Sequence, residues 1–238
     1  MDLILSTTAQ KVIAAYGGKE LWTNATSIKA EASVNGLAFI LKLRPYFNHI
    51  QIELAIDRVY CKITPIGNNP NISGILEGDS VRLENEKGEV IAERLNPRSY
   101  FPYGRRLFYW DDLDMAYFAN YAFWNYFTLP KLLLNDQIQW REIEEGHLRA
   151  HFPETIPTHS KIQDFYFDKN SGLLLQHNYT ADIISKFAKA AHLITNHDNN
   201  SSLIFPSERI VTPRSKSGSP LKAPILIDIK VHKYQVMI

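Results

Sequence analysis

WDDLDMAYFANYAFWNYFTLPKLLL, Trp110 to Leu134, is the stretch on which the fold turns. Asp111, Asp112 and Asp114 put negative charge and a candidate N-cap where the unpaired amides and the positive dipole end of a helix favour both. Pro130 stops the helix, because proline lacks the amide and disfavours helical backbone at Leu129. Wound at the helical period, Asp114, Tyr117, Tyr121, Asn125 and Thr128 share one narrow stripe, with Met115, Ala116, Ala119, Phe123, Tyr126 and Phe127 opposite. The polar stripe carries hydroxyls, not a solvated charged face. A membrane span needs about 20 mainly apolar residues, and this helix is too short and too polar for that. It must cover something apolar or be covered, as a core helix or as a lid over a hydrophobic cavity.

The flanking sequence alternates with period two, the mark of half-buried strands. Upstream, Leu37, Phe39, Leu41 and Leu43 alternate in one run and Ile50, Ile52, Leu54 and Ile56 in the next, on either side of a Pro45-Tyr46-Phe47-Asn48 turn. The expectation is two paired strands with Phe39, Leu41, Ile50, Ile52 and Leu54 on one concave face. Lys42, Arg44, Gln51 and Glu53 then face the other way. Strands follow at Arg58 to Thr64, Ser73 to Leu76, Asp79 to Glu84 and Glu89 to Arg94. Downstream they resume at Gln137 to Glu144, His147 to Phe152, Lys161 to Asp168, Leu173 to Tyr179, Leu203 to Val211 and Ile225 to Val231. Ser6 or Thr7 caps a leading helix that Gly17-Gly18 ends, Ser185 to Ala191 reads as helical, and Thr212 to Ala223 reads as a mobile loop.

Some ten strands in hairpin order with one apolar face cannot stay flat, so they curl around a concave interior. The expected fold class is α+β, a large curved antiparallel sheet forming an incomplete β-barrel, with the N-terminal helix and the aromatic central helix over its concave face. Residues 1–238 are read as a single domain.

The 26 basic and 25 acidic residues nearly cancel, which removes any global attraction to nucleic acid. Cys61 is alone, so neither an intramolecular disulfide nor a cysteine-rich zinc site can form. The first residues lack a basic segment ahead of an apolar run, so no signal peptide is read and a cytoplasmic protein is expected.

Several local pieces have a shared order. They are YGGKELW (Tyr16 to Trp22) followed by a strand at Ser27 to Ala32, the hairpin FYFDKNSGLLLQHNY (Phe165 to Tyr179), and a late strand opened by Phe205-Pro206. This order resembles the bacterial outer-membrane lipoprotein carrier and its sorting-protein relatives. The resemblance implies an incomplete barrel whose cavity holds acyl chains, with helices as lid.

For chemistry, the chain has no G-x-S-x-G elbow and no phosphate-cradling glycine loop. His177, Asp182, His192 and His197 form the densest titratable group, but the spacing from His192 to His197 suits neither a helix face nor a strand face, and no metal is expected. Arg98, Arg105 and Arg106, set among aromatics, are candidates for an anionic head group.

The reading is therefore a binder or carrier of a hydrophobic small molecule or acyl chain, with no cofactor, no nucleic-acid partner and no transmembrane segment. Its expected ligand-binding residues are Phe39, Leu41, Leu43, Ile50, Ile52, Leu54, Met115, Phe118, Tyr121, Phe123, Trp124 and Phe127. One alternative is an enzyme using the same cavity, with His177, Asp182 or His192 as acid-base groups. Another is an interaction module docking through the aromatic helix.

Overall fold

The computed structural model describes residues 5–199 and 203–238. Helix α1 (Thr7–Ala15) starts at Ser6, whose side chain accepts from the Ala9 amide, and α2 (Gly18–Asn24) follows directly. The first half of the sheet is β1 (Ser27–Asn35), β2 (Phe47–Ala55), β3 (Tyr60–Thr64), β4 (Ser73–Glu77), β5 (Ser80–Glu84) and β6 (Val90–Leu95), with a short helix α3 (Leu37–Leu41) between β1 and β2. Two 3-10 turns lead into α4 (Asp112–Phe127) and α5 (Leu129–Leu132). The second half is β7 (Gln139–Glu144), β8 (His147–His151), β9 (Ile162–Phe167), β10 (Leu174–Thr180), β11 (Lys189–Asp198), β12 (Phe205–Pro213) and β13 (Ile227–Met237).

Among the described residues 13 strands join in one antiparallel sheet in the order β6-β5-β4-β3-β2-β1-β13-β12-β11-β10-β9-β8-β7. Each half is a meander, and the two meet where the first and last strands pair, Ile28 opposite Val236 and Val34 opposite Ile229. The free edges are β6 and β7, so the sheet is not closed. It is the incomplete barrel that the alternation predicts, with α4 over its concave face.

The helix sits where its ends hold it. Asp111 accepts from the Asp114 amide at 2.7 Å while Asp114 accepts from the Asp111 amide at 3.2 Å, a reciprocal cap that satisfies two otherwise unpaired donors. Arg94 on β6 reaches both carboxylates, at 2.8 Å to Asp111 and 2.6 Å to Asp114, which fastens the helix start to the edge of the first half. Burial alone would raise the Asp111 pKa, but hydrogen bonds from Arg94 and the Asp114 amide, with the charges of Arg94 and Arg105, hold it below the usual carboxylate range. The downstream end is fixed by Trp124, whose indole donates to the carbonyls of Ala55 and Arg58. Almost the whole helix circumference is buried, so it presents no face for a docking partner.

Three local expectations are corrected. Leu37 to Leu43 is not a strand: α3 takes Leu37–Leu41, and the Leu37 and Ala38 amides donate to Ile225 and Leu226. Gly36, at φ +128°, lies so close to β13 that a β-carbon there would stand 2.8 Å from Ile227 Cα. That approach forces the chain off the sheet. Ser185 to Ala191 is not a helix: from Lys189 onward the chain is β11, paired to β10 on one side and β12 on the other. Within Thr212 to Ala223, the Gly218 carbonyl accepts from the amides of Gln176 and Asn178, so a tied turn replaces the expected mobile loop.

Candidate functional site

The concave interior has two parts. Toward the first half of the sheet, Ile50, Ile52, Leu54, Cys61, Ile63, Leu76 and Val81 close on α4 in one apolar core. Toward the second half, α4 meets rings and polar groups. Tyr121 and Tyr126 hydroxyls bond the two nitrogens of His159 at 3.1 and 2.7 Å, and His159 stacks on Tyr179 with ring centroids 4.0 Å apart. His177 stacks on Phe165 at 4.1 Å, bonds the Gln163 carboxamide oxygen, and stands opposite His192 in the β10·β11 register. Burial, helped by Arg98, lowers the His159 pKa to about 3, and burial likewise drives His177 and His192 well below the ordinary value, so all three rings are neutral.

Where the first turns of α4 pass under α3, the interior opens into an apolar cavity of about 340 Å³. Phe39 and Leu41 of α3, Trp110, Met115 and Phe118 wall one side. Ala181, Ile184, Phe187, Ala188, Ala190, Val211, Leu226 and Ile227 wall the other. The charged residues lining it are Lys42, Arg44 and Lys189, with no carboxylate among them. Lys42 is 8 % exposed, and its Nζ donates to the carbonyls of Arg106 and Leu107 at 3.0 and 2.8 Å. Burial lowers its pKa. A second, open groove of about 1150 Å³ runs along Asn96 to Phe101, Pro153 to Ile162 and Asp182. Its lining mixes polar and apolar groups.

Of the residues expected to bind ligand, Phe39, Leu41, Met115 and Phe118 line the 340 Å³ cavity. Ile50, Ile52, Leu54, Tyr121, Phe123, Trp124 and Phe127 do not; they are core, packed between α4 and the sheet or within the ring cluster. Leu43 is 69 % exposed and lines neither opening. Lys42 and Arg44 do not face outward as a strand would have placed them, because α3 turns them inward. Arg105 and Arg106 are not free for a head group: both engage Asp114, at 2.8 and 2.7 Å, and Arg105 also engages Asp111. Arg98 donates to the Thr158 carbonyl at 2.7 Å and lies 3.9 Å from Asp182, beside the open groove. The acid-base candidates are divided, with Asp182 at that groove and His177 and His192 sealed within the interior. Among the described residues no three His, Cys, Asp or Glu side chains are placed to hold a metal, and no helix is long and apolar enough to cross a membrane.

The cavity wall that sequence reasoning missed, Ala181 to Ala190, overlaps Ser185 to Ala191, the segment misread as helical. Arg209 was missed as well, although its place at an inward phase of β12, between Ser207 and Val211, was a visible anomaly.

No protein-family model and no curated protein matches the sequence. Solved structures do share the fold. A LolA superfamily protein from Nitrosomonas europaea is similar over 98 % of this chain and 95 % of that one, at 10 % identity and a TM-score of 0.54. An outer membrane lipoprotein-sorting protein domain from Vibrio parahaemolyticus is similar over 96 % and 90 %, at 10 % identity and a TM-score of 0.48. The resemblance read from the sequence is thus present at the level of fold. The expectation of a cytoplasmic protein is corrected here, since the structure that shares this fold belongs to the LolA superfamily. The first residues of this sequence decide nothing about location.

Proposed function

We propose that the chain binds or carries a lipid-like ligand whose apolar part occupies the cavity between α3, the start of α4 and β11 to β13. The observation that carries this reading is the cavity itself. At about 340 Å³ with an almost wholly apolar wall, it falls within the ordinary size range of small-molecule sites. Its walls come from α3, which hangs from two amide bonds to the start of β13, and from the turn at Ala181 to Ala188. Lys42 and Lys189 in the wall, with Arg44 already paired to Asp112, favour a neutral or anionic head over a cationic one. The fold shared with a LolA superfamily protein supports the same reading, and a periplasmic setting goes with it.

The test is binding of a fluorescent fatty-acid analogue to delipidated protein, compared with Ala188→Trp, which fills the cavity from the turn side. Saturable binding that the tryptophan weakens at least tenfold is the expected result. Absence of saturable binding to the unaltered protein overturns the proposal.

A further inference from the structure

Strand β12 turns Phe205, Ser207, Arg209 and Val211 inward, which puts a cation at an apolar position of the sheet. Arg209 is 2 % exposed, and its guanidinium carbon lies 5.4 Å from the Tyr126 ring centroid and 5.8 Å from that of Phe127. Among the described residues no carboxylate pairs with it, and its Nε donates to the Pro206 carbonyl at 3.4 Å, a long bond. Arginine stays protonated inside a protein, and an isolated buried charge is strongly unfavourable unless a counter-charge meets it. The nearby phenols do not provide one, since burial pushes both Tyr16 and Tyr126 up to about 12.

A second group points the same way. His192 is 0 % exposed and neither ring nitrogen has a hydrogen-bond partner among the described residues. A small cavity of about 10 Å³ has both Arg209 and His192 in its wall, together with Tyr126, His177, Gln163 and Asn125. Room on the order of 10–15 Å³ suits one water-sized occupant.

We infer that Arg209 holds a single inorganic anion of halide size inside the half-barrel, with the neutral His192 ring lending an N–H donor from the same cavity. The site is independent of the apolar cavity, with which it has no lining residue in common. The anion supplies the counter-charge that β12 and its neighbours lack.

Two measurements on the full chain test this. Crystals grown in sodium bromide should give an anomalous peak against the Arg209 guanidinium, and a site holding only water overturns the inference. In solution at constant ionic strength, exchanging gluconate for chloride at several times its Kd should raise Tm by about 2–4 °C. Arg209→Met should lose that difference, and a chloride gain that survives in it overturns the inference. If Arg209→Met does not fold, His192→Phe fills the cavity while keeping the cation. It should reduce the chloride gain to near zero, and an unchanged gain overturns the inference.

Discussion

The two halves of the sheet enclose the same helix in opposite ways. Against β3, β4 and β5, α4 buries aliphatic side chains such as Ile63 and Leu76, and its polar links there run to backbone: Trp124 to Ala55 and Arg58, Asn120 to Gly74. Against β9 to β12 and the segment just before β9 it meets His159, His177, His192, Tyr179 and Arg209, all buried. Apolar burial alone explains the first side. The second carries neutral histidines and a cation at a cost in stability, and a fold that needed only a core would have filled those positions with leucine. The second half holds the Arg209 pocket and, together with α3, walls the apolar cavity.

Acid should expose the difference most strongly. The folded pKa of His159 is about 3 against an ordinary value of 6.5, and those of His177 and His192 lie well below 6.5 too. In the unfolded chain these rings take up protons near 6.5, so their contribution is intact above that pH and is lost as pH falls through it towards the folded values. His159 then costs about 2 kcal/mol at pH 5, and His177 and His192 add losses of the same sign. Asp111, in the first half, has a lowered pKa, so its contribution fades only as pH drops through 3.8 towards the folded value. Chemical denaturation at pH 8, 6 and 5 should show the early loss, and His159→Phe should flatten it. A stability unchanged between pH 8 and 5 would contradict the neutral-histidine interior.

Truncation should sort core from cavity wall. Phe123→Ala is expected to cost about 3–5 kcal/mol because it opens a hole in packed core, with fatty-acid binding retained. Phe118→Ala, on the cavity side, should cost less and should alter which probe chain lengths bind. Leu41 is 59 % exposed at the cavity mouth, so Leu41→Ala should cost about 0.5 kcal/mol or less and show its effect only in binding. Equal stability losses for Phe123→Ala and Leu41→Ala, measured by urea denaturation, would erase the distinction between the two regions.

The strands were legible because alternation survives in an antiparallel sheet with one wet face, as in Ile50, Ile52 and Leu54. The aromatic helix was legible through its Asp111 cap, whereas Pro130, read as its stop, sits in the first turn of α5 with Leu129 helical, and the break falls at Thr128. What the sequence did not show came from tertiary contact. LAFILKL, Leu37 to Leu43, is apolar enough to satisfy strand and helix periods alike, and only the close passage of Gly36 over β13 selects the helix. With β11 unseen, His177 and His192 read as a titratable group with no shared face instead of a pair across two strands. The division of α4 into a cavity-facing start and a core end depends on how far β11 and β12 stand from it, which no period in its own sequence records.

The central claim is that the cavity beside α3 and the start of α4 takes an apolar ligand, and native mass spectrometry of the freshly purified, undenatured chain tests it most directly. The account predicts added mass from an apolar molecule, extractable into organic solvent and absent from Ala188→Trp prepared in parallel. A spectrum showing only the mass of the polypeptide, together with no uptake of fatty-acid probe by the same preparation, would contradict it.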